Sequence, residues 1–173
     1  MTKRKDLVGV KLPPPTAGRV REVFVYNSVT GVLRWRIRLK RSKAKAGDVA
    51  GCPGGGYLQV RLDGRLCYVH QIAWLYMTGE WSDELDHRDL NGSNNEFGNL
   101  RPATRTQNNA NNPLRTNNLV RLKGVSQFRG MYRARIQHNK KQMWLGQFET
   151  PEEAHAAYLS KAASLFGEFA RAA

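Results

Sequence analysis

The sequence predicts an α+β protein, and three observations support this fold class. Residues 22–38 and 54–70 alternate apolar and polar side chains around short turns, which is typical of β-hairpins. Residues 85–112 combine short extended runs with a polar loop and a capped helix. Residues 122–173 contain basic strands followed by one amphipathic helix. We therefore expect two domains joined by a linker.

The composition favours a nucleic-acid partner. The chain has 173 residues, of which 40% are apolar, a net charge of +14 and an isoelectric point near 10.3. This excess of positive charge favours a polyanion, with nucleic acid first and an anionic membrane surface second. The charge lies in residues 1–51 and 113–173, whereas residues 52–112 are slightly acidic. The flanks are therefore predicted to contact phosphates while the centre has another role.

No segment predicts export or membrane insertion. The basic first residues are not followed by an apolar run, and no stretch of roughly 18 apolar residues occurs. Cys52 and Cys67 are too few for a disulfide framework and lack the C-x-x-C spacing of a structural zinc site. We expect a cytoplasmic protein with both thiols reduced, a single disulfide being the less favoured alternative.

The first elements along the chain are a leader and a β-hairpin. Residues 1–18 are basic and end in "PPPTAG", which predicts a poorly ordered leader. The hairpin turns at Thr30-Gly31, and a basic loop, residues 39–48, follows it. We interpret that loop as solvated charge or non-specific phosphate contacts. The side chains of the hairpin expected to point inward are Phe24, Tyr26, Leu33, Trp35 and Ile37.

A second hairpin and a short helix come next. Residues 54–70 predict two strands that meet at Asp63-Gly64. The glycine run 54–56 lacks the G-x-x-x-x-G-K-[ST] pattern of a phosphate-binding loop and precedes a strand, so we interpret it as a turn. The apolar residues of "HQIAWLYMTG", 70–79, predict a buried helix that ends at Gly79.

The segment "DHRDLNGSNNEFGNLRPATRTQNNANN", residues 86–112, is rich in asparagine and poor in apolar residues. Leu85-Asp86-His87 predicts the end of a short strand. The residues after it favour a compact loop, because Asn, Asp and Ser side chains bond to nearby backbone. "NLRPA" predicts a second extended run, and Thr104 is expected to cap a helix over "RTQNNANN". The result is a strand–loop–strand–helix unit held by amide hydrogen bonds.

Three residues of this unit predict hydrolytic chemistry. Asp86 on the first strand and Asn108 one turn into the helix are expected to face each other. Two oxygen donors with open positions suit a hard cation such as Mg²⁺, with Mn²⁺ as the alternative. His87 points to the other side of the strand, and its imidazole can accept a proton from water. The competing interpretation is an ordinary polar turn, and we interpret the remaining asparagines 109, 111 and 112 as helix-end and linker polarity.

This part of the chain resembles the ββα-metal motif of HNH endonucleases, specifically the phage and intron-encoded homing type. The residues that carry the resemblance are Val69-His70, Asp86-His87, "NGSNN", "NLR" at 99–101 and "TRTQN" at 104–108. "TGVLRW", "GYLQVRLDGR" and "HQIAWLYMTGEW" also look like phage members, so the resemblance covers residues 20–112. It implies one divalent ion held by Asp86 and Asn108, His87 as general base, and structural support from Asn99 and His70.

After a polar linker, residues 113–121, the last fifty residues predict a separate unit. "MYRARIQ" places Arg133, Arg135 and Gln137 on the strand face opposite Tyr132, Ala134 and Ile136. "QMWLGQF" similarly places Gln142 and Trp144 opposite Met143 and Leu145. A capping box at Thr150 begins a helix that Gly167 ends. The apolar stripe of this helix comprises Ala154, Ala157, Tyr158, Ala162 and Leu165.

Residues 123–170 resemble the plant ethylene-response-factor (Apetala-type) DNA-binding domain, a three-stranded antiparallel sheet packed on one helix. "KGVSQF", "YRARI", "WLGQF" and "TPEEAHAAY" carry the resemblance. In that family the sheet enters the major groove. The resemblance, with strand alternation and charge for positions 129 and 133, predicts DNA contacts by Lys123, Ser126, Arg129, Arg133, Arg135, Gln137 and Trp144. Positions 126 and 135 depart from the plant pattern, so no base preference is implied. A solvated strand face is the competing interpretation.

The sequence therefore predicts a metal-dependent DNA endonuclease of the homing type. A nuclease domain, residues 19–112 with its ββα-metal core at 85–112, precedes the linker and a DNA-binding domain, residues 122–173. The expected partner is double-stranded DNA, with no membrane and no small-molecule cofactor. One centre would nick a strand, whereas a homodimer could break both. The alternatives are a DNA-binding regulator with an inactive nuclease fold and a structural RNA-binding protein. A phage-encoded enzyme would act in the host cytoplasm.

Overall fold

A computed structural model describes residues 12–40, 43–114 and 116–171 and combines helices with antiparallel sheets, as an α+β fold requires. The chain divides into two compact units. The first contains residues up to Asp83 and Asn91–Leu100, and the second contains Glu84–Leu90 and Arg101 onward. Residues 1–11 of the predicted leader, 41–42 of the basic loop and 115 of the linker lie outside the described residues. The domain boundaries inferred from the sequence stay predictions.

The first unit begins with a helix that sequence reasoning missed. α1 (Ala17–Val23) starts inside the stretch expected to be a poorly ordered leader. The Thr16 side chain caps it by accepting from the backbone N–H of Arg19, and Val20 and Val23 are buried. These two valines have the three-residue spacing of one helix face. The strand alternation that follows them in the sequence hides this signal.

The predicted first hairpin consists of β1 (Phe24–Tyr26) and β2 (Leu33–Trp35). The strands pair antiparallel, with Phe24 opposite Trp35 and Tyr26 opposite Leu33. Phe24, Tyr26 and Leu33 are buried, and the rings of Phe24 and Trp35 lie 4.7 Å apart. The prediction that Ile37 points inward is wrong, since 37% of this residue is exposed. β2 ends at Trp35, so the alternation of a strand no longer applies two residues later.

A three-stranded antiparallel sheet follows, formed by β3 (Cys52–Gly54), β4 (Tyr57–Leu62) and β5 (Arg65–Tyr68) in that order. β4 and β5 meet at Asp63-Gly64, as predicted, and both turn residues are left-handed, with φ of 47° and 87°. The glycine run 54–56 ends β3 and leads into β4. It is therefore a turn between strands.

α2 (Val69–Thr78) packs into the core of the first unit. It ends at Gly79, as predicted, where the backbone is left-handed at φ 82°. Cys67 is buried in this core and Cys52 is exposed, and both thiols are free. The other buried residues of the core are Val20, Val23, Phe24, Tyr26, Leu33, Ala50, Val60, Leu62, Val69, Ile72, Ala73, Leu75 and Leu100.

The asparagine-rich loop of the first unit is held by hydrogen bonds of its own polar groups. The side chains of Asn91 and Asn94 each accept from the backbone N–H two residues later. The Tyr26 hydroxyl donates to the carbonyl oxygen of Asn95 at 2.6 Å. Gly31 lies so close that a Cβ there would be 2.5 Å from the carbonyl carbon of Asn95. The hairpin turn therefore requires glycine at this position.

The strand–loop–strand–helix unit predicted around residues 85–112 consists of β6 (Leu85–His87), β7 (Leu100–Pro102) and α3 (Arg105–Asn111). β6 pairs with β7 in a two-stranded sheet. The predicted cap of α3 is confirmed. The Thr104 hydroxyl accepts from the backbone N–H of Gln107, and the Gln107 side chain accepts from the backbone N–H of Thr104.

The second unit also contains a three-stranded antiparallel sheet packed on a helix. β9 (Met131–His138) lies between β8 (Val125–Phe128) and β10 (Lys141–Phe148). α4 (Pro151–Phe166) starts with the predicted capping box and ends before Gly167. Its buried residues are Ala154, Tyr158, Ala162 and Phe166, and the predicted stripe residues Ala157 and Leu165 are partly buried against the same core clusters. No helix in the described part of the chain has the length and apolar character needed to cross a bilayer.

Candidate functional site

Asp86, the middle residue of β6, is bound by two side chains of the second unit. The Nε of Arg101 donates to Oδ2 of Asp86 at 2.8 Å, and Nη2 lies 2.7 Å from the same oxygen. At the end of α3, Nδ2 of Asn111 lies 3.0 Å from each carboxylate oxygen. Asp86 is 6% exposed and Arg101 5% exposed. Replacing either Asp86 or Arg101 by a neutral residue would therefore leave the other as a buried charge without its counterion.

Asn108 lies on α3 beside β6, where Nδ2 donates to the carbonyl oxygen of Leu85 at 3.4 Å. The prediction put Asn108 opposite Asp86. The structure brings it to the neighbouring residue, while Asn111 contacts the carboxylate itself. Within the described residues, Oδ1 of Asn108 is buried without a hydrogen-bond partner. An unsatisfied buried polar atom costs about 1–3 kcal/mol. A bound ion or water molecule would give this oxygen the partner that buried polar atoms normally have.

His87 ends β6 and is 5% exposed. Its carbonyl oxygen accepts from Nδ2 of Asn111 at 3.1 Å and from the backbone N–H of Leu90 at 3.0 Å. These bonds fix the backbone from which the imidazole projects. The next residue, Arg88, donates from Nη1 to Oε2 of Glu168 at 2.8 Å. Hydrogen bonding to Arg88 and the charges of Arg88 and Arg101 hold the pKa of Glu168 below its usual range.

The two predicted supporting residues belong to the first unit. Nδ2 of Asn99 donates to the carbonyl oxygen of Asn94 at 2.8 Å and so closes the asparagine-rich loop. His70 is buried in α2, with its ring stacked on Tyr68 at 5.2 Å between centroids and edge-on to Tyr57 at 5.3 Å. These contacts describe a packed histidine and a loop-closing asparagine. Their support of the candidate centre stays a prediction.

The residues at β6 and α3 provide a partial donor set for a divalent cation. Carboxylate and amide oxygens suit a hard cation, whose other positions are filled by water or phosphate oxygens. Asp86 offers the first kind of oxygen, and Asn108 offers the second. Among the residues that the structure describes, no group of three His, Cys, Asp or Glu side chains could hold an ion. The Asp86 carboxylate and the Asn108 amide oxygen therefore fit a hard cation whose remaining positions water or substrate would fill.

Residues 67–110 match the HNH endonuclease family. This HNH segment contains α2, β6 and β7 and ends one residue before Asn111. The match supports an HNH nuclease, and hence a nucleic-acid substrate. No curated protein matches the chain.

Outside the HNH segment, the outward face of β8–β10 collects most residues predicted to contact DNA. Ala134 and Ile136 of β9 are buried with the residues of α4, so the residues that alternate with them face away from the helix. Trp144 is 55% exposed. In the sheet register, the outward pairs are Ser126 with Arg133, Arg135 with Trp144, and Gln137 with Gln142.

Three arginines crowd this face around two aromatic rings. The guanidinium carbon of Arg133 lies 3.2 Å from the ring centroid of Phe128, and that of Arg135 lies 5.7 Å from Trp144. Arg129 is 5.2 Å from Phe128. In the described part of the chain, Nε of Arg133 and Nε of Arg135 are buried without hydrogen-bond partners. Desolvation, followed by the charges of Arg135 and Arg129, lowers the pKa of Arg133. A bound polyanion would relieve this repulsion.

Lys123, also predicted to contact DNA, uses its ammonium group within the second unit. Nζ donates to the carbonyl oxygens of Ala110 at 2.5 Å and Asn112 at 2.7 Å. These carbonyls are at the end of α3, where a positive charge is favourable. Burial, and then the charge of Arg171, lowers the pKa of Lys123 to about 8. The structure thus gives Lys123 a helix-capping contact, and its contact with DNA stays a prediction.

Sequence reasoning missed Arg101, Asn111 and Glu168. The interpretation of Asn111 as helix-end polarity is wrong, because its amide binds the Asp86 carboxylate. One signal could have found it, since Asn108 and Asn111 are three residues apart and share a helix face. No local signal marks Glu168, whose partners Arg101 and Arg88 are 67 and 80 residues away along the chain.

Proposed function

We propose that the chain is a metal-dependent DNA endonuclease, of the homing type, that hydrolyses phosphodiester bonds. The match of residues 67–110 to the HNH endonuclease family supports the nuclease activity. The net charge of +14 supports DNA as the partner. The observation that carries the proposal is the placement of Asp86 and His87 on β6 with Asn108 on the adjacent helix.

Each residue of the centre has a separate task in this proposal. Asp86 and Asn108 hold one divalent cation through their oxygens, with Mg²⁺ as the expected ion and Mn²⁺ as the alternative. When bound, such a cation stabilises negative charge on the phosphate and on the leaving 3′ oxygen. The imidazole of His87 takes a proton from the water that attacks phosphorus. Arg101 and Asn111 keep the Asp86 carboxylate oriented through hydrogen bonds.

The outward face of β8–β10 serves as the DNA-binding surface in this proposal. Its arginines supply charge for phosphates, and the exposed ring of Trp144 supplies an apolar contact. Phosphate contacts strengthen binding in a salt-dependent way and carry no sequence information. The resemblance to the ethylene-response-factor domain agrees with this use of a sheet. The residues assigned to the surface are Ser126, Arg129, Arg133, Arg135, Gln137 and Trp144.

Nicking of supercoiled plasmid in Mg²⁺, followed on agarose gels, tests the proposal. Because the protein sequence does not define a DNA target, a randomised DNA library is digested in parallel and the cleaved molecules are sequenced. His87→Ala should lower the cleavage rate by about 10²-fold or more while DNA binding, measured by fluorescence anisotropy, is retained. His138→Ala, a histidine of β9, is the matched control and should cleave at close to the wild-type rate. Equal rates for the wild type and His87→Ala would remove His87 from the mechanism.

A second candidate is a DNA-binding regulator with an inactive nuclease centre. The observation that favours it is the Asp86–Arg101 ion pair at 2.7 Å. A guanidinium that already neutralises this carboxylate competes with a cation for the same oxygen. Wild-type protein that binds DNA but cuts neither the plasmid nor the library with Mg²⁺, Mn²⁺ or other divalent ions would make this second candidate the function.

A further inference from the structure

Arg101 is held on three sides by residues that are far apart in the sequence. One edge of its guanidinium binds the Asp86 carboxylate, through Nε at 2.8 Å and Nη2 at 2.7 Å. Nη1 donates to the backbone carbonyl of Glu168 at 3.1 Å and lies 3.2 Å from its Oε2. The ring of Phe169 covers the guanidinium plane at 3.7 Å from the centroid. Glu168 and Phe169 lie in one 3₁₀ turn, Gly167–Phe169, directly after α4.

The same turn holds a second arginine next to the candidate general base. Oε2 of Glu168 lies 2.8 Å from Nη1 of Arg88, and Arg88 directly follows His87. One carboxylate therefore joins two arginines, of which Arg101 orients Asp86 and Arg88 adjoins His87. The side chain of Glu168 is 58% exposed, and exposed ion pairs add little stability. These ion pairs would therefore act mainly by holding the two arginines in place.

We propose that Glu168 and Phe169 are positioning residues of the nuclease centre, acting on Asp86 through Arg101 and on the end of β6 through Arg88. This inference rests on the proposed function. It makes the turn Gly167–Phe169, which follows the β8–β10 sheet and α4, part of the nuclease centre. The sequence instead predicts that residues 122–173 form a separate DNA-binding domain.

The chemistry of arginine explains how the turn would act. A guanidinium is planar and presents a rigid fork of donors, so fixing one edge and one face fixes the direction of the other edge. Glu168 fixes one edge and Phe169 covers a face. The remaining edge then sets the rotation of the Asp86 carboxylate, whose other oxygen is set by Asn111. Groups that orient a ligand or a reacting residue change the rate of the reaction more than the binding of a remote substrate.

Glu168→Gln and Phe169→Leu test the inference, with Glu152→Gln as the matched control. Glu152 is an exposed acid in the first turn of α4, so this control removes one negative charge from the same unit of the protein. Plasmid nicking is measured as kcat and as KM for DNA. Glu168→Gln and Phe169→Leu should each lower kcat by roughly tenfold with KM unchanged within about twofold, while Glu152→Gln changes neither. A change of KM alone, or equal kcat values for Glu168→Gln and Glu152→Gln, would overturn the inference.

A second measurement separates this inference from the proposed function. Hydrogen–deuterium exchange is followed for peptides covering residues 84–90, with the peptides of β4 and β5 as an internal reference. Glu168→Gln should speed exchange in residues 84–90 and leave the reference unchanged, and Glu152→Gln should change neither. If the wild type cuts no DNA, the proposed function fails and exchange alone decides the inference. Unchanged exchange in residues 84–90 would then show that the turn does not hold β6.

Discussion

Nδ2 of Asn111 lies 3.0 Å from each carboxylate oxygen of Asp86 and 3.1 Å from the carbonyl oxygen of His87. One amide group therefore serves three buried acceptors at the end of β6. We expect Asn111→Ala to lower the free energy of unfolding by about 1–3 kcal/mol, because each of those buried acceptors loses one donor and Oδ1 of Asp86 keeps no other donor among the described hydrogen bonds. Urea denaturation measures this change. Asn109→Ala, at an exposed position of the same helix, should stay within about 0.5 kcal/mol of the wild type.

Replacing Asn108, one helical turn earlier, should have little effect on stability. Its Oδ1 is buried without a partner in the described part of the chain, and its Nδ2 makes only a long bond of 3.4 Å. Asn108→Ala should therefore change the free energy of unfolding by less than about 0.5 kcal/mol, since little hydrogen bonding is lost. The same variant should lose binding of Mn²⁺, measured by calorimetry on the protein alone. A variant as unstable as Asn111→Ala that still binds Mn²⁺ would show that Asn108 has a structural role only.

The ion pair between Arg101 and Asp86 should be strongly coupled. Arg101→Met leaves a buried carboxylate without its counterion and should cost about 3–5 kcal/mol in urea denaturation. Asp86→Asn removes the charge that needs compensation. In the double variant Asp86→Asn/Arg101→Met, the loss should therefore be smaller than the sum of the two single losses. Additive losses would mean that the pair, at 2.7 Å, does not interact energetically in solution.

Local signals explain which parts of this site the sequence could predict. The capping boxes at Thr104 and Thr150 depend on residues three positions apart, and both helices begin where these boxes place them. The contacts of Arg101 depend on burial and on a turn 67 residues away, which no local pattern encodes. For Ile37 the local pattern predicts too much, because the apolar alternation of β2 continues two residues beyond the end of the strand.

The choice between Asn108 and Asn111 could not be made from the sequence for a related reason. Both residues lie on the same face of α3, so periodicity predicts that face but not which residue reaches the carboxylate. A shift of one helical turn moves a side chain by about 5 Å along the helix axis, which exceeds the length of a hydrogen bond. The pairing of α3 with β6 decides the contact, and that pairing depends on tertiary packing.

Lys123 should make the stability of the second unit depend on pH. Burial lowers its pKa in the folded protein to about 8, from the ordinary 10.5 of the unfolded chain. Between these two values the unfolded chain binds more protons, so the free energy of unfolding rises with pH. Below pH 8 the cost of burying the charged ammonium is fully present.

Urea denaturation at about pH 7 and about pH 10 should show this rise for the wild type and not for Lys123→Met. Lys141→Met, at an exposed position of β10, should retain the wild-type rise. An identical pH dependence of Lys123→Met and the wild type would assign the effect to other groups.

The outward face of β8–β10 should determine how DNA binding depends on salt. Arg133 has an aromatic ring 3.2 Å below its guanidinium and two arginines that repel it, so a phosphate is the group that would offset its charge. Each phosphate contact contributes about 0.9 to the slope of log affinity against log salt concentration. Arg133→Gln should lower that slope by about this amount in fluorescence anisotropy with duplex DNA. Lys161→Gln removes one positive charge from α4, on the other side of the sheet, and should leave the slope unchanged. Equal slopes for both variants would mean that DNA responds to the net charge of the protein and does not bind this face.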